Sequence, residues 1–119
     1  MIETFSPKKS GFETIFMKDG WKAAFITHSE AYDALREMKR HLLTEEVFTL
    51  LEGSASIFTL EENLLTETPM EKGKVYVIGR GTFHHVKTTP DALLFVAENS
   101  DTSKENTERM DYYADKSGN

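Results

Sequence analysis

The sequence predicts an all-β fold, a sandwich or barrel of short strands, on two observations. Segments of alternating or β-rich character recur at close spacing along the 119 residues, and turn-forming residues separate most of them. The expected strands are Phe12–Met17, Trp21–His28, Glu37–His41, Val47–Leu51, Ala55–Leu60, Leu65–Met70, Val75–Ile78, Phe83–Thr88 and Ala92–Glu98. Lys18-Asp19-Gly20 carries the residues a tight turn requires, Glu52-Gly53-Ser54 reads as a hairpin tip, and Pro90-Asp91 breaks the pair around it. One window is ambiguous: Ala31, Ala34, Leu35 and Met38 fall at helical spacing, so Glu30–Met38 also fits a short helix.

The chain divides into an N-terminal arm (1–11), the β domain (12–98) and a polar tail (99–119), where Asn, Asp, Ser, Thr, Lys and Glu dominate. Thr102 and Glu105 have capping-box spacing, so the tail is expected as a short helix reaching Tyr113 or as a polar extension. An apolar fraction of 39% supports one core rather than two.

Charge and composition exclude several functions. The chain carries 14 basic and 20 acidic residues, a net charge of −6, with no basic cluster larger than the pairs Lys8-Lys9 and Lys39-Arg40, which argues against nucleic acid. No apolar run approaches a membrane span and the N-terminus lacks a signal peptide's pattern, so a soluble cytoplasmic protein is expected. With no cysteine, a metal must be held by histidine and carboxylate.

Two clusters hold the candidate chemistry. His41 ends one expected strand and Glu46 opens the next across a short connection. Strand alternation puts Glu46 on one face with Phe48 and Leu50, and Val47 on the other with Thr49 and Leu51. If the Glu46 face is inward, its carboxylate needs a cation or hydrogen-bond partner; if the Val47 face is inward, Glu46 is a solvated surface charge. In the second cluster, Gly79 and Gly81 flank Arg80 in a turn that asks for positive φ or close backbone approach. His84 and His85 follow on opposite faces of the next strand, one inward and one outward.

Together these clusters resemble the cupin family, described by the motifs G(X)5HXH(X)3–4E(X)6G and G(X)5PXG(X)2H(X)3N. Here His41-Leu42-Leu43-Thr44-Glu45-Glu46 supplies the second histidine and the glutamate, Gly53 closes the first motif, and Gly73-(X)5-Gly79-Arg80-Gly81-(X)2-His84 follows the second. The resemblance implies a single cupin barrel, a double-stranded β-helix or jelly roll, over roughly Phe12 to Glu98. It also implies a divalent metal, such as zinc, iron, manganese or nickel, on His41, Glu46 and His84.

This sequence departs from the motifs at four positions. Lys39 stands where the first histidine belongs, Asp33 at the first glycine, Gly79 at the proline and Thr88 at the final asparagine. A lysine ammonium cannot coordinate a metal. Lys39 can turn outward beside a three-ligand site, pair with Glu46 in a metal-free pocket, or bind an anionic group of the ligand. Arg80, with its planar fork, is a candidate for holding a carboxylate or phosphate at the entrance, against the commoner role of an exposed turn arginine. His28 at the end of a strand is expected at the surface, with the barrel mouth as the alternative. The family resemblance admits isomerases, epimerases, dioxygenases, decarboxylases, lyases and simple binding proteins. It therefore implies a small polar ligand, such as a sugar or organic acid, without selecting a reaction, and it implies a homodimer, for which Ile2–Phe5 or Phe12–Met17 offers an edge.

Overall fold

The computed structural model describes residues 1–112. Ten strands account for nearly all of its regular structure: β1 (Gly11–Lys18), β2 (Trp21–Thr27), β3 (Glu37–His41), β4 (Glu46–Glu52), β5 (Ala55–Glu61), β6 (Leu64–Pro69), β7 (Val75–Ile78), β8 (Phe83–Thr88), β9 (Leu93–Asn99) and β10 (Thr107–Asp111). They form two antiparallel sheets of five strands, ordered β1-β2-β9-β4-β7 and β10-β3-β8-β5-β6. No helix among the described residues is long and apolar enough to cross a membrane.

Alternation along each strand builds the core. Ala24 and Ile26 of β2, Phe48 and Leu50 of β4, Ile57 of β5, Val86 of β8, and Leu94 and Val96 of β9 are buried in one cluster between the sheets. The outer side of the first sheet is also apolar in part, where Phe25 meets Phe95 edge-on at 6.4 Å.

The nine expected strands are all present, but their connections differ from expectation. Two consecutive pairs close as two-residue hairpins: Asp19 and Gly20 both at positive φ link β1 to β2, and Glu62 and Asn63 do the same between β5 and β6. Glu52-Gly53-Ser54 is not a hairpin tip. It carries the chain from one sheet to the other, as does Pro90-Asp91 between β8 and β9. These two corners lie against each other: Gly53 sits at φ +70°, and a Cβ there would lie 2.6 Å from Ala92 Cα.

Two readings that the sequence left open are decided by the fold. The Glu30–Met38 helix shrinks to one 3₁₀ turn, Glu30–Tyr32, because Met38 belongs to β3 and is completely buried. The tail does not form the capping-box helix: Thr107–Asp111 is β10, while Tyr113, the expected helix end, lies outside the described residues. β3 explains the second change. It pairs with β8 only at Lys39 and His84, leaving its other edge to be satisfied by β10, which matches it from Thr107 opposite His41 to Asp111 opposite Glu37. Pairing across the sheet thus overrides a local helix signal.

Candidate metal centre

Neighbouring strands place ionisable side chains in two facing rows. In the first sheet, Lys22 of β2 lies opposite Glu98 of β9, and Glu98 lies opposite Glu46 of β4. In the second, His41 lies opposite Thr107, while Lys39 lies between Arg109 and His84. Glu46 is only 2% exposed, so the inward alternative for its face is the one the fold adopts. Like charges directly across a pair of strands repel, and both Glu46 and Glu98 are buried, so this row demands a positive partner.

Part of that demand is met by histidine. His84 Nδ1 is 3.0 Å from the Thr82 carbonyl, an acceptor only, which assigns a proton to Nδ1. Its Nε2 lies 2.9 Å from Glu46 Oε1, so a second proton is shared by that pair. Burial pushes the Glu46 carboxyl up, but the His84 hydrogen bond and the charges of His84, Lys39 and His41 outweigh it, leaving the group below its ordinary value.

His41 is arranged differently. Its Nδ1 is 3.0 Å from the Thr107 hydroxyl, and its Nε2 faces Oε1 of Glu46 at 3.7 Å and Oε1 of Glu98 at 3.4 Å. These are close contacts rather than aligned hydrogen bonds, and Glu98 Oε1 is left buried without a hydrogen-bond partner among the described residues. The other oxygen of Glu98 faces Lys22 Nζ at 3.5 Å. One donor atom each from His41, Glu46 and Glu98 falls within 4.8 Å of the others, a set that could hold a metal ion. Nitrogen and oxygen donors, with an unsatisfied buried carboxylate oxygen among them, suit a divalent cation.

The residues expected to act together are thus joined by one that was not considered. Glu98 ends a run in which Leu94, Val96 and Glu98 alternate inward, so the signal for it was a carboxylate in phase with core residues. Lys22 has the same signature on β2, ahead of Ala24 and Ile26. Nothing in the sequence marked Thr107, because its strand was not foreseen.

Two chambers open onto this group. The larger, about 400 Å³, is lined by Glu46 and His84 together with Phe12, Ile26, Tyr32, Lys39, Phe48 and Val86. The smaller, about 190 Å³, is lined by His41, Glu98, Lys22, Thr102 and Thr107. Phe12, Lys39 and Arg109 border both. Lys39 does not turn outward, nor does it pair with Glu46, whose closest partner is His84; its Nζ lies 5.6 Å from the centre of the Phe12 ring. Tyr32, on the 3₁₀ turn, stacks on His85. Burial and the charges of Glu46 and Glu98 push its phenol up to about 12, so it stays neutral. His85 donates from Nε2 to the Ala34 carbonyl, tying that turn over the cavity. Arg80 is exposed and lines a separate depression with Arg40 and Phe83. His28 is half-buried, with its Nδ1 on the Thr88 hydroxyl, and lines neither chamber.

No protein-family model matches the sequence, and no curated protein matches it. Solved structures do. A cupin-2 domain protein from Shewanella frigidimarina is similar over 79% of this chain and 84% of its own, with a TM-score of 0.57 and 18% identity. A protein from Neisseria meningitidis matches at TM-score 0.57 and 14% identity over 82% of this chain and 100% of its own. Oxalate decarboxylase from Bacillus subtilis is similar at TM-score 0.64 and 12% identity over 91% of this chain, which spans only 30% of that enzyme. The chain has the cupin fold, a small barrel of two facing antiparallel sheets.

Proposed function

We propose that the barrel binds a divalent metal ion through His41, Glu46 and Glu98, and presents a small polar metabolite, a sugar or organic acid, to it in the larger chamber. The observation that carries this reading is Glu98 Oε1, buried beside His41 and Glu46 without a hydrogen-bond partner among the described residues. His84 Nε2, 2.9 Å from Glu46 Oε1, would be a further nitrogen donor beside this set. Thr107 holds the far nitrogen of His41 and Thr82 that of His84, which orients both rings. A divalent ion in such a site supplies Lewis acidity toward a ligand oxygen.

The reading is tested by elemental analysis of the purified chain and calorimetric titration with zinc, manganese, iron(II) and nickel. Stoichiometric uptake by the wild type, lost in His41→Ala and Glu98→Gln, is the expected result. No uptake of any of the four overturns it. A second reading, a metal-free binding pocket, is supported by Lys22, whose ammonium already faces Glu98 at 3.5 Å.

A homodimer belongs to the same proposal. β1 is an edge strand, and the outward face of its sheet leaves Trp21, Leu51, Val75 and Val77 exposed, as is Ile2 of the arm. Sedimentation of the full chain at several concentrations tests it: a monomer throughout removes the dimer.

A further inference from the structure

The charges around the two chambers pair off, with one exception. Arg36 bonds Asp33, Arg109 bonds Glu37, Lys22 faces Glu98, and Glu46 bonds His84. Lys39, which borders both chambers, makes neither a hydrogen bond nor an ion pair among the described residues, and its own carboxylate neighbour is occupied by His84. A half-buried lysine whose ammonium lies over an aromatic face, with no anion bonded to it, is incompletely compensated. Lys22 and Lys39 together match Glu46 and Glu98 in charge, so a divalent ion would leave the chambers with two uncompensated positive charges.

Phe12, Ile26, Phe48 and Val86 give the larger chamber an apolar wall, and in the polar remainder of its lining Arg36, Glu37 and Arg109 are already paired. A neutral sugar would set hydroxyls against that wall and leave Lys39 without a counter-charge, an arrangement that strands polar groups on both sides.

We infer that the ligand of the larger chamber is an organic acid with an apolar body, its carboxylate held by the Lys39 ammonium and its hydrocarbon portion against Phe12, Ile26 and Phe48. The inference rests on the reading of this cavity as the ligand site, and it turns the lysine at the missing histidine position into the specificity determinant. Lys39 accepts the carboxylate whether or not a metal occupies the neighbouring donors, which makes its role separable from the metal.

The test is calorimetric titration of the full chain, chelator-treated and metal-loaded, with hexanoate, benzoate, their amides and glucose. The carboxylates bind, and the amides bind about tenfold to a hundredfold more weakly, the range expected for losing a charged hydrogen bond. Lys39→Met imposes the same loss on the carboxylates in both forms without lowering metal content, whereas Lys72→Met, at an exposed site away from both chambers, does not. Circular dichroism checks that Lys39→Met remains folded, and Lys39→Arg, which keeps the charge, retains carboxylate preference. Lys39-dependent carboxylate binding in a protein that takes up no metal refutes the metal reading and leaves this inference standing. Glucose binding in preference to the acids, equal affinity for acid and amide, absence of binding by both acids, or an unchanged affinity in Lys39→Met overturns it.

Discussion

The same four strands build two unlike regions inside the barrel. Along its inward face β2 runs from Lys22 to Ala24 and Ile26, β4 from Glu46 to Phe48 and Leu50, β8 from His84 to Val86, and β9 from Leu94 and Val96 to Glu98. Antiparallel pairing brings all the charged ends to one side and the apolar ends to the other. Burial is nearly equal in the two halves, so burial by itself does not distinguish function from packing. What distinguishes them is that the apolar half is satisfied by contact alone, whereas among the described residues the charged half retains an unpaired carboxylate oxygen, with the unpaired Lys39 ammonium of β3 bordering the same chambers. That residual demand marks the place for a ligand.

The comparison breaks most sharply in the apolar half. Leu94 is completely buried, and Leu94→Ala is expected to cost about 2–5 kcal/mol of unfolding free energy by denaturant titration, with metal stoichiometry unchanged in protein that remains folded. In the charged half, Glu98→Leu alone leaves Lys22 buried without its partner and is expected to cost about 3 kcal/mol, while the double variant Lys22→Met/Glu98→Leu recovers most of it. Neither variant takes up metal, so binding is lost whether or not stability is recovered, the reverse of Leu94→Ala, which loses stability and keeps binding. A double variant no more stable than Glu98→Leu would show that the ion pair is not what Lys22 contributes.

The smallest effect concerns pH. Burial holds the His85 imidazole below its ordinary value of 6.5, against the opposing Ala34 hydrogen bond and aided by the charges of Lys39 and His84. A depressed folded-state value means that the unfolded chain binds the proton first, so this group's contribution is present above pH 6.5 and declines as pH falls through its lowered value. Glu46 adds a second loss at lower pH, below its ordinary value of 4.5. Unfolding free energy measured across this range should fall less steeply below pH 6.5 in His85→Gln than in the wild type. An identical slope would remove His85 as the source.

Most strand positions and three of the candidate site residues were legible because alternation and motif spacing are local. His41, Glu46 and His84 stand at intervals that a reader of the chain can count. Glu98 was equally in phase with Leu94 and Val96, yet a glutamate at a strand end is ordinarily exposed. Only its position beside Glu46 gives it meaning. Thr107 and Arg109 were hidden because a capping-box pattern and a polar composition describe the free segment, whereas the open edge of β3 decides its conformation.

The sequence by itself determined the all-β class, which residues share a face along each strand and the lysine at the missing histidine, since these follow from a period of two and from counting. The tertiary structure alone decided which strands are neighbours, that Gly53 and Pro90 turn between sheets, and that Glu98 and Glu46 meet. Those choices depend on pairing residues distant in the chain, where backbone hydrogen bonds and buried charge must be satisfied together, and no local pattern carries that condition.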